Sequence, residues 1–182
     1  YPGRLEKMTI NNKQVFGIPG NKKTLFFGDS NIEQYAPRVI SFLQNSSEDR
    51  GAVFLTTGAC LPINDVKRSA SGKAKVNACY ETRNNFISVA KDPDIDTIVI
   101  GAVWFDYFNE NTNFTIDNEL LSTEEGRKLA ILTLQKMIAE VSRPGRRIVI
   151  VSNIPIDSSL DPKSLITRDF LHDKYTLKHN YI

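Results

Sequence analysis

The chain contains 182 residues, 41% of them hydrophobic and 24% charged, which predicts one globular domain with a real core and excludes a disordered chain. The net charge is +2, and no cluster of Lys and Arg is interleaved with aromatic residues, so no nucleic-acid partner is indicated. No apolar run reaches the roughly 18–20 residues of a transmembrane helix, so no membrane span is predicted in this chain.

The hydrophobic pattern predicts strands and helices in alternation. A helix that starts near Pro37 follows the first strand, and a second covers about residues 80–90. A third begins at a capping box formed by Ser122 and Glu125. The segments 57–78 and 109–118 are rich in polar and turn-forming residues and are predicted as loops. The four predicted strands are residues 24–27, 52–56, 97–101 and 147–151.

This alternation is typical of right-handed βαβ crossovers, which build a mainly parallel sheet with helices on both faces. The expected fold is therefore a flavodoxin-like three-layer α/β/α sandwich. Ligands of such sheets bind beyond the carboxyl ends of the strands. Three short segments follow predicted strands and are expected to meet along that edge: residues 28–30, 57–58 and 101–102.

Ser30 lies between the first predicted strand and the helix that follows it. Free backbone N–H groups and the helix dipole at such a place stabilise developing negative charge, which suits a serine nucleophile. Serine is also a common helix cap, so capping is the structural alternative for Ser30.

The run Phe-Phe-Gly-Asp-Ser-Asn, residues 26–31, resembles the first block of the SGNH (GDSL-like) hydrolase superfamily. The resemblance implies that Ser30 is the nucleophile and that its own N–H group is one oxyanion donor. By the second block of that superfamily, the N–H group of Gly58 is another donor.

Several segments more narrowly resemble the extracytoplasmic SGNH domain that is fused to bacterial acyltransferase family 3 membrane proteins, which O-acetylate cell-surface glycans. The segment 58–62 is similar to the family's Cys-Pro-Pro segment, and 99–104 is similar to its strand-plus-Trp block. Residues 1–5 look like the tether after the last membrane helix, and the chain begins without an initiator Met, as a piece of a longer protein does. We therefore expect an N-terminal extension or tether over residues 1–23 and the catalytic domain over 24–182.

The same resemblance implies a periplasmic location, as a domain of an inner-membrane protein, and a disulfide between Cys60 and Cys79. On spacing alone, a disulfide and two unrelated buried thiols are equally open. The implied partners are an acyl donor delivered by a membrane acyltransferase domain and a glycan acceptor.

Two residues near the third strand bear on the family pattern. The superfamily supplies an oxyanion-donating Asn in its third block, but Val103 stands at that position, and its side chain donates no hydrogen bond. Trp104 follows directly and is either a stacking platform for a sugar or a core aromatic residue at the sheet edge.

The general base in the family is a His in an Asp-x-x-His block near the C-terminus. Asp169 and His172 have that spacing, but they follow the fourth strand earlier than the family places the block. Either they are the acid/base pair on a shortened scaffold, or the chain ends before the true block and its last strand. We favour the second interpretation, in which residues 164–182 begin a crossover helix.

The function expected from these observations is a surface-glycan O-acyltransferase domain that works through an acylated serine. Two alternatives stay open: a stand-alone SGNH esterase or deacetylase, and a non-catalytic glycan-binding domain. No cofactor is expected, and no metal site, phosphate loop or dinucleotide fingerprint is found in the sequence.

Overall fold

The computed structural model describes residues 5–68, 73–152, 166–169 and 174–177, with residues 73–75 and the last two segments described by their backbone alone. The chain divides into two compact units, Tyr1–Ser152 and Asn153–Ile182. The first unit contains the strands β1 Glu6–Ile10, β2 Lys13–Ile18, β3 Lys22–Gly28, β4 Arg50–Thr56, β5 Lys67–Arg68, β6 Ile95–Gly101, β7 Phe114–Ile116, β8 Glu119–Leu120 and β9 Arg147–Val151. Its helices are α1 Ser30–Glu33, α2 Ala36–Gln44, α3 Lys73–Ala90, α4 Trp104–Phe108 and α5 Glu124–Val141.

Six strands form the central sheet of the first unit, in the order β1-β2-β4-β3-β6-β9. The strands β4, β3, β6 and β9 are parallel, and β1 and β2 form an antiparallel hairpin that pairs with β4. The order of the parallel strands in the sheet is second, first, third and fourth, which is the flavodoxin-like arrangement. The expected mainly parallel α/β fold is confirmed.

The two faces of the sheet are covered by different helices. Successive side chains of a strand point to opposite faces, so β3 sends Leu25 and Phe27 to one face and Phe26 to the other. The first face packs against α3 and α5 in the main core, where Phe27 stacks on Phe86 at 4.1 Å between ring centroids. On the second face, α2 packs against Phe26 and Phe54. These are the three layers of the fold.

Where the chain departs from the predicted elements, tertiary contacts explain most of the difference. The hairpin of β1 and β2 was not predicted; it extends the sheet through antiparallel pairing with β4. The predicted loops contain β5 and β7, which pair with each other, and α3 begins at Lys73. The capping box is wrong: Thr123 is the N-cap of α5, and its Oγ accepts from Gly126 N–H at 3.0 Å.

The second unit corrects the helix expected over residues 164–182. Its described residues form an antiparallel pair of strands, β10 Ile166–Asp169 and β11 Lys174–Leu177. Both strands contain β-branched residues, and β11 also contains Tyr175, which are residue types that favour strands over helices.

Sheet register brings the carboxyl ends of the central strands level with one another. Gly28 lies opposite Thr56 on one side and opposite Gly101 on the other. A Cβ atom on Gly28 would lie 1.9 Å from the carbonyl oxygen of Gly101, so the close approach of β3 and β6 requires glycine at this point. The segments that follow these strands are therefore held side by side, as the sequence predicts.

Candidate active site

Ser30 is the first residue of α1, two residues beyond the buried carboxyl end of β3. It is exposed and lines a cleft of about 430 Å³, here called the Ser30 cleft. Ala59 from the segment after β4 and Val103 from the segment after β6 line the same cleft. The structure thus brings Ser30 together with the two other segments that the sequence predicts at this edge.

Asp29, rather than Ser30, caps the helix. Its Oδ1 accepts a hydrogen bond from the N–H group of Asn31 at 2.8 Å, which satisfies a donor in the first turn of α1. No hydrogen bond to the hydroxyl of Ser30 is formed within the described part of the chain. Ser30 is therefore not the cap of α1. Its hydroxyl lines the cleft and holds no element of the described structure in place.

The second carboxylate oxygen of Asp29 joins the nucleophile segment to the segment after β6. Oδ2 accepts from the backbone N–H of Val103 at 3.0 Å and from the hydroxyl of Tyr107 at 2.9 Å. Asp29 is 2% exposed, so the three donors replace the water that its carboxylate loses on burial. The sequence identified Asp29 only as part of the Gly-Asp-Ser motif and did not identify Tyr107 as a site residue. A hydrogen bond between residues 78 positions apart leaves no local pattern in the sequence.

Tyr107 is suited to hold that carboxylate as a permanent donor. Burial, followed by the negative charge of Asp29 and the hydrogen bond to it, raises the pKa of Tyr107 well above its ordinary value. The phenol therefore keeps its proton throughout the neutral range, and the hydrogen bond to Asp29 persists there.

Backbone donors lie at the Ser30 cleft and directly beside it. Gly58 and Ala59 form the middle of a turn that is closed by a hydrogen bond from Cys60 N–H to the carbonyl of Thr57 at 3.2 Å. Ala59 has φ of +57°, a left-handed conformation that is unfavourable for a residue with a side chain. Within the described residues, the N–H groups of Ser30, Gly58 and Ala59 donate to no acceptor. Ala59 reaches the Ser30 cleft, whereas Gly58 lines the pocket beside it.

The backbone N–H of Val103, in the segment after β6, donates to Oδ2 of Asp29. This N–H group is therefore not a donor to a ligand in the cleft. Three asparagines that follow α4 also line the cleft: Asn109, Asn111 and Asn113. Sequence reasoning did not select them, since they come from a segment predicted only as a loop. They stand beside a cleft in which the family's usual Asn is replaced by Val103, and the amide of Asn109 donates to the carbonyl of Asp106 at 3.3 Å.

Trp104 has the contacts of a packing residue. Its side chain is partly buried against the main core and against a second hydrophobic cluster that includes Leu61, Tyr107 and Leu121. Its Nε1 donates to the carbonyl oxygen of Val151 at 2.7 Å. The described lining of the Ser30 cleft does not include it. These contacts favour the core alternative over a platform for sugar stacking.

The second unit holds the candidates for a general base. Asp169 is the last residue of β10, and His172 lies outside the described residues. Their roles as base and orienting residue stay predictions. Among the described residues, no group of three or more His, Cys, Asp and Glu is placed to hold a metal ion.

A disulfide joins Cys60, in the turn after β4, to Cys79 on α3, with Cα atoms 5.3 Å apart. It anchors the turn that carries Gly58 and Ala59 to the helix that packs on the main core. The part of the cleft wall that Ala59 forms is thereby covalently attached to the scaffold.

Replacing both cysteines by alanine is expected to lower the free energy of unfolding by about 3 kcal/mol, since the bridge closes a loop with a sequence separation of 19 residues. Urea denaturation followed by circular dichroism measures the change. Reduction of the unaltered chain should produce the same shift. A double variant as stable as the oxidised chain would contradict the prediction.

Comparison with known proteins agrees with this architecture. A family model described as "SGNH domain (fused to AT3 domains)" matches residues 4–180. The periplasmic domain of the lipopolysaccharide acetyltransferase of Salmonella ser. Paratyphi A has a similar structure, with a TM-score of 0.52 and 18% sequence identity. The alignment covers 76% of this chain and 47% of that one, so this chain spans about half the length of the solved domain.

No curated protein sequence matches the chain. No helix in the described residues is long and apolar enough to cross a membrane.

Proposed function

Because the chain belongs to the family of SGNH domains fused to AT3 domains, we propose that it transfers an acyl group, most simply acetyl, to a hydroxyl group of a cell-surface glycan. The observation that carries the proposal is the position of Ser30. It is exposed in a cleft at the carboxyl edge of a parallel sheet, and the capping role is filled by Asp29. A solved domain with a similar fold belongs to a lipopolysaccharide acetyltransferase. We propose sugars of the O-antigen or of peptidoglycan as the acceptors for this chain.

The reaction proceeds in two steps. Oγ of Ser30 attacks the carbonyl carbon of the acyl donor, its proton passes to a general base, and the base gives that proton to the leaving group as the bond to the carbonyl carbon breaks. A sugar hydroxyl then attacks the acyl-serine and loses its proton to the base, which returns the proton to Oγ as the Oγ–acyl bond breaks and Ser30 is restored. The N–H groups of Ser30 and Gly58 hold the negative oxygen in both steps, and Ala59 N–H is the alternative to Gly58.

The general base in this proposal is His172, oriented by Asp169, because the crossover helix on which the other interpretation depended is replaced by the strands β10 and β11. A serine hydroxyl is a weak nucleophile at neutral pH, so the reaction requires such a partner. The spacing of Asp169 and His172 is the sequence observation that supports them.

The parent protein supplies the acyl donor in this proposal. An AT3 membrane domain delivers the acyl group on the periplasmic side. The expected extension over residues 1–23 contains β1 and β2, which belong to the central sheet, so only the residues before β1 are proposed as the connection. The disulfide supports the location, because such bonds persist in oxidising compartments such as the periplasm.

Two other functions have an observation in their favour. Ser30 is exposed to solvent, which favours water as the acceptor of the acyl group. With water as the acceptor, the domain would be an esterase or deacetylase. Val103 in place of the oxyanion-donating Asn favours a domain that binds glycans without catalysis.

The test is the intact mass of the chain after incubation with p-nitrophenyl acetate, followed by peptide mapping. We expect an adduct of one acetyl group on the peptide that contains Ser30, and much slower formation of that adduct in His172→Ala. Unchanged acetylation of His172→Ala would remove His172 as the base and leave Ser30 in place. Absence of any adduct would favour the binding domain. Transfer to an added oligosaccharide, compared with release of acetate, separates the transferase from the esterase.

A further inference from the structure

A second pocket, of about 310 Å³, adjoins the Ser30 cleft, and Ala59, Arg68 and Phe114 line both. We call it the basic pocket because Lys67, Arg68 and Arg83 line it, and no carboxylate is among its described lining residues. In the Ser30 cleft, by contrast, Asp29 and Asp106 are present. The two spaces therefore differ in charge although they share a wall.

Arg83 is a buried cation at the base of this pocket, with only 7% of its surface exposed. Its Nε donates to the carbonyl of Leu61 at 2.8 Å, and its Nη1 donates to the carbonyl of Val66. Within the described residues it forms no ion pair, and its Nη2 donates to no acceptor. Burial lowers the pKa of Arg83 to about 10, so the side chain remains charged at neutral pH.

Arg68 lies between the two spaces. Its guanidinium is 5.3 Å from the centre of the Phe114 ring, which holds the group in a stacked position. Its Nε is buried and has no hydrogen-bond partner in the described part of the chain. A planar guanidinium with unused donors is suited to bidentate binding of a carboxylate or phosphate.

The charge in the pocket is only weakly offset. The carboxylate of Asp65 acts on Arg83 from outside the lining, and Tyr107, whose raised pKa keeps it neutral, contributes no charge. Tyr80, with 65% of its surface exposed, adds an aromatic face at the same pocket. Cationic donors beside an accessible aromatic ring form a suitable surface for an anionic sugar.

We propose that the basic pocket is an acceptor subsite for a sugar residue that carries a carboxylate or phosphate group, with Arg68 as its principal contact. This inference rests on the proposed function and narrows its substrate class to acidic glycans. The acidic group lies in the basic pocket, and an adjacent sugar hydroxyl reaches the Ser30 cleft past the shared wall of Ala59 and Phe114.

The test measures binding alone, in the Ser30→Ala chain, so that no acyl chemistry contributes. Methyl glucuronide, glucose 6-phosphate and neutral methyl glucoside are titrated while the backbone amide signals of residues 66–68 and 76–80 are followed by NMR. We expect both anionic sugars to bind at least about tenfold more tightly than the neutral one, because charge-assisted hydrogen bonds are the stronger ones. The preference should weaken as salt is added.

Arg68→Met should abolish most of that preference. Lys67→Met, a change at an exposed residue, should reduce it with little risk to folding. Arg127→Met removes an exposed arginine of α5 outside the pocket and should leave it unchanged. Equal binding of neutral and anionic sugars, or an equal loss in Arg127→Met, would overturn the proposal. A preference for anionic sugars without any acetyl adduct on Ser30 would support the subsite and count against the proposed reaction.

Discussion

The Ser30→Ala chain is expected to lose acetylation by p-nitrophenyl acetate by at least about a thousandfold, since removal of a serine nucleophile abolishes the covalent route and leaves only the donors around it. The fold should be unchanged. Ser30 is exposed, and its hydroxyl makes no hydrogen bond in the described residues, so its loss removes no structural contact there. The rate of p-nitrophenol release and the intact mass both measure the effect.

Ser47→Ala is the matched control, because Ser47 is also exposed and lies in the turn after α2, away from the cleft. It should react at the rate of the unaltered chain. If Ser30→Ala retains the adduct, or if peptide mapping places the acetyl group elsewhere, Ser30 is not the nucleophile. The thermal midpoints of the two variants should agree, which separates a chemical effect from unfolding.

Asp29→Asn is expected to reduce acetylation about a hundredfold and to lower the free energy of unfolding by about 2–3 kcal/mol. Three donors converge on Asp29: the N–H groups of Asn31 and Val103 and the hydroxyl of Tyr107. An asparagine of the same shape has one oxygen and one NH₂ group. Whichever way the amide is turned, its NH₂ faces a backbone N–H and leaves that donor unpaired.

The rate effect is expected because Asp29 positions the residue next to it. When one of its bonds is lost, either the first turn of α1 or the segment after β6 shifts, and Ser30 shifts relative to the N–H groups of Gly58 and Ala59. Tyr107→Phe removes only the hydroxyl donor and should show a smaller loss of both rate and stability. Asp117→Asn, at an exposed turn, is the control and should change neither. Equal rates for Asp29→Asn and the unaltered chain would remove Asp29 as a positioning residue.

The parallel part of the fold could be predicted from local sequence patterns. The β-branched runs that became β6 and β9 favour strands, and Pro37 lies near the start of α2 because proline suits the first turn of a helix. Alternation of strands and helices then restricts the sheet to a few mainly parallel topologies, because the crossovers are right-handed. The convergence of the segments after β3, β4 and β6 follows from the parallel arrangement, and together with the motif of residues 26–31 it allowed Ser30 to be selected from the sequence.

What the local patterns could not decide depends on partners that are distant along the chain. The hairpin of β1 and β2 is stabilised by pairing with the free edge of β4. The strands β10 and β11 are stabilised by pairing with each other, whereas the local pattern of residues 164–182 predicted a helix. The roles of Asp29 and Tyr107 arise from one hydrogen bond across 78 residues, and the basic pocket arises from cations on β5 and α3 that share no motif. Local propensity describes a segment by itself, whereas burial, charge and hydrogen bonding are properties of the neighbours that only the folded chain supplies.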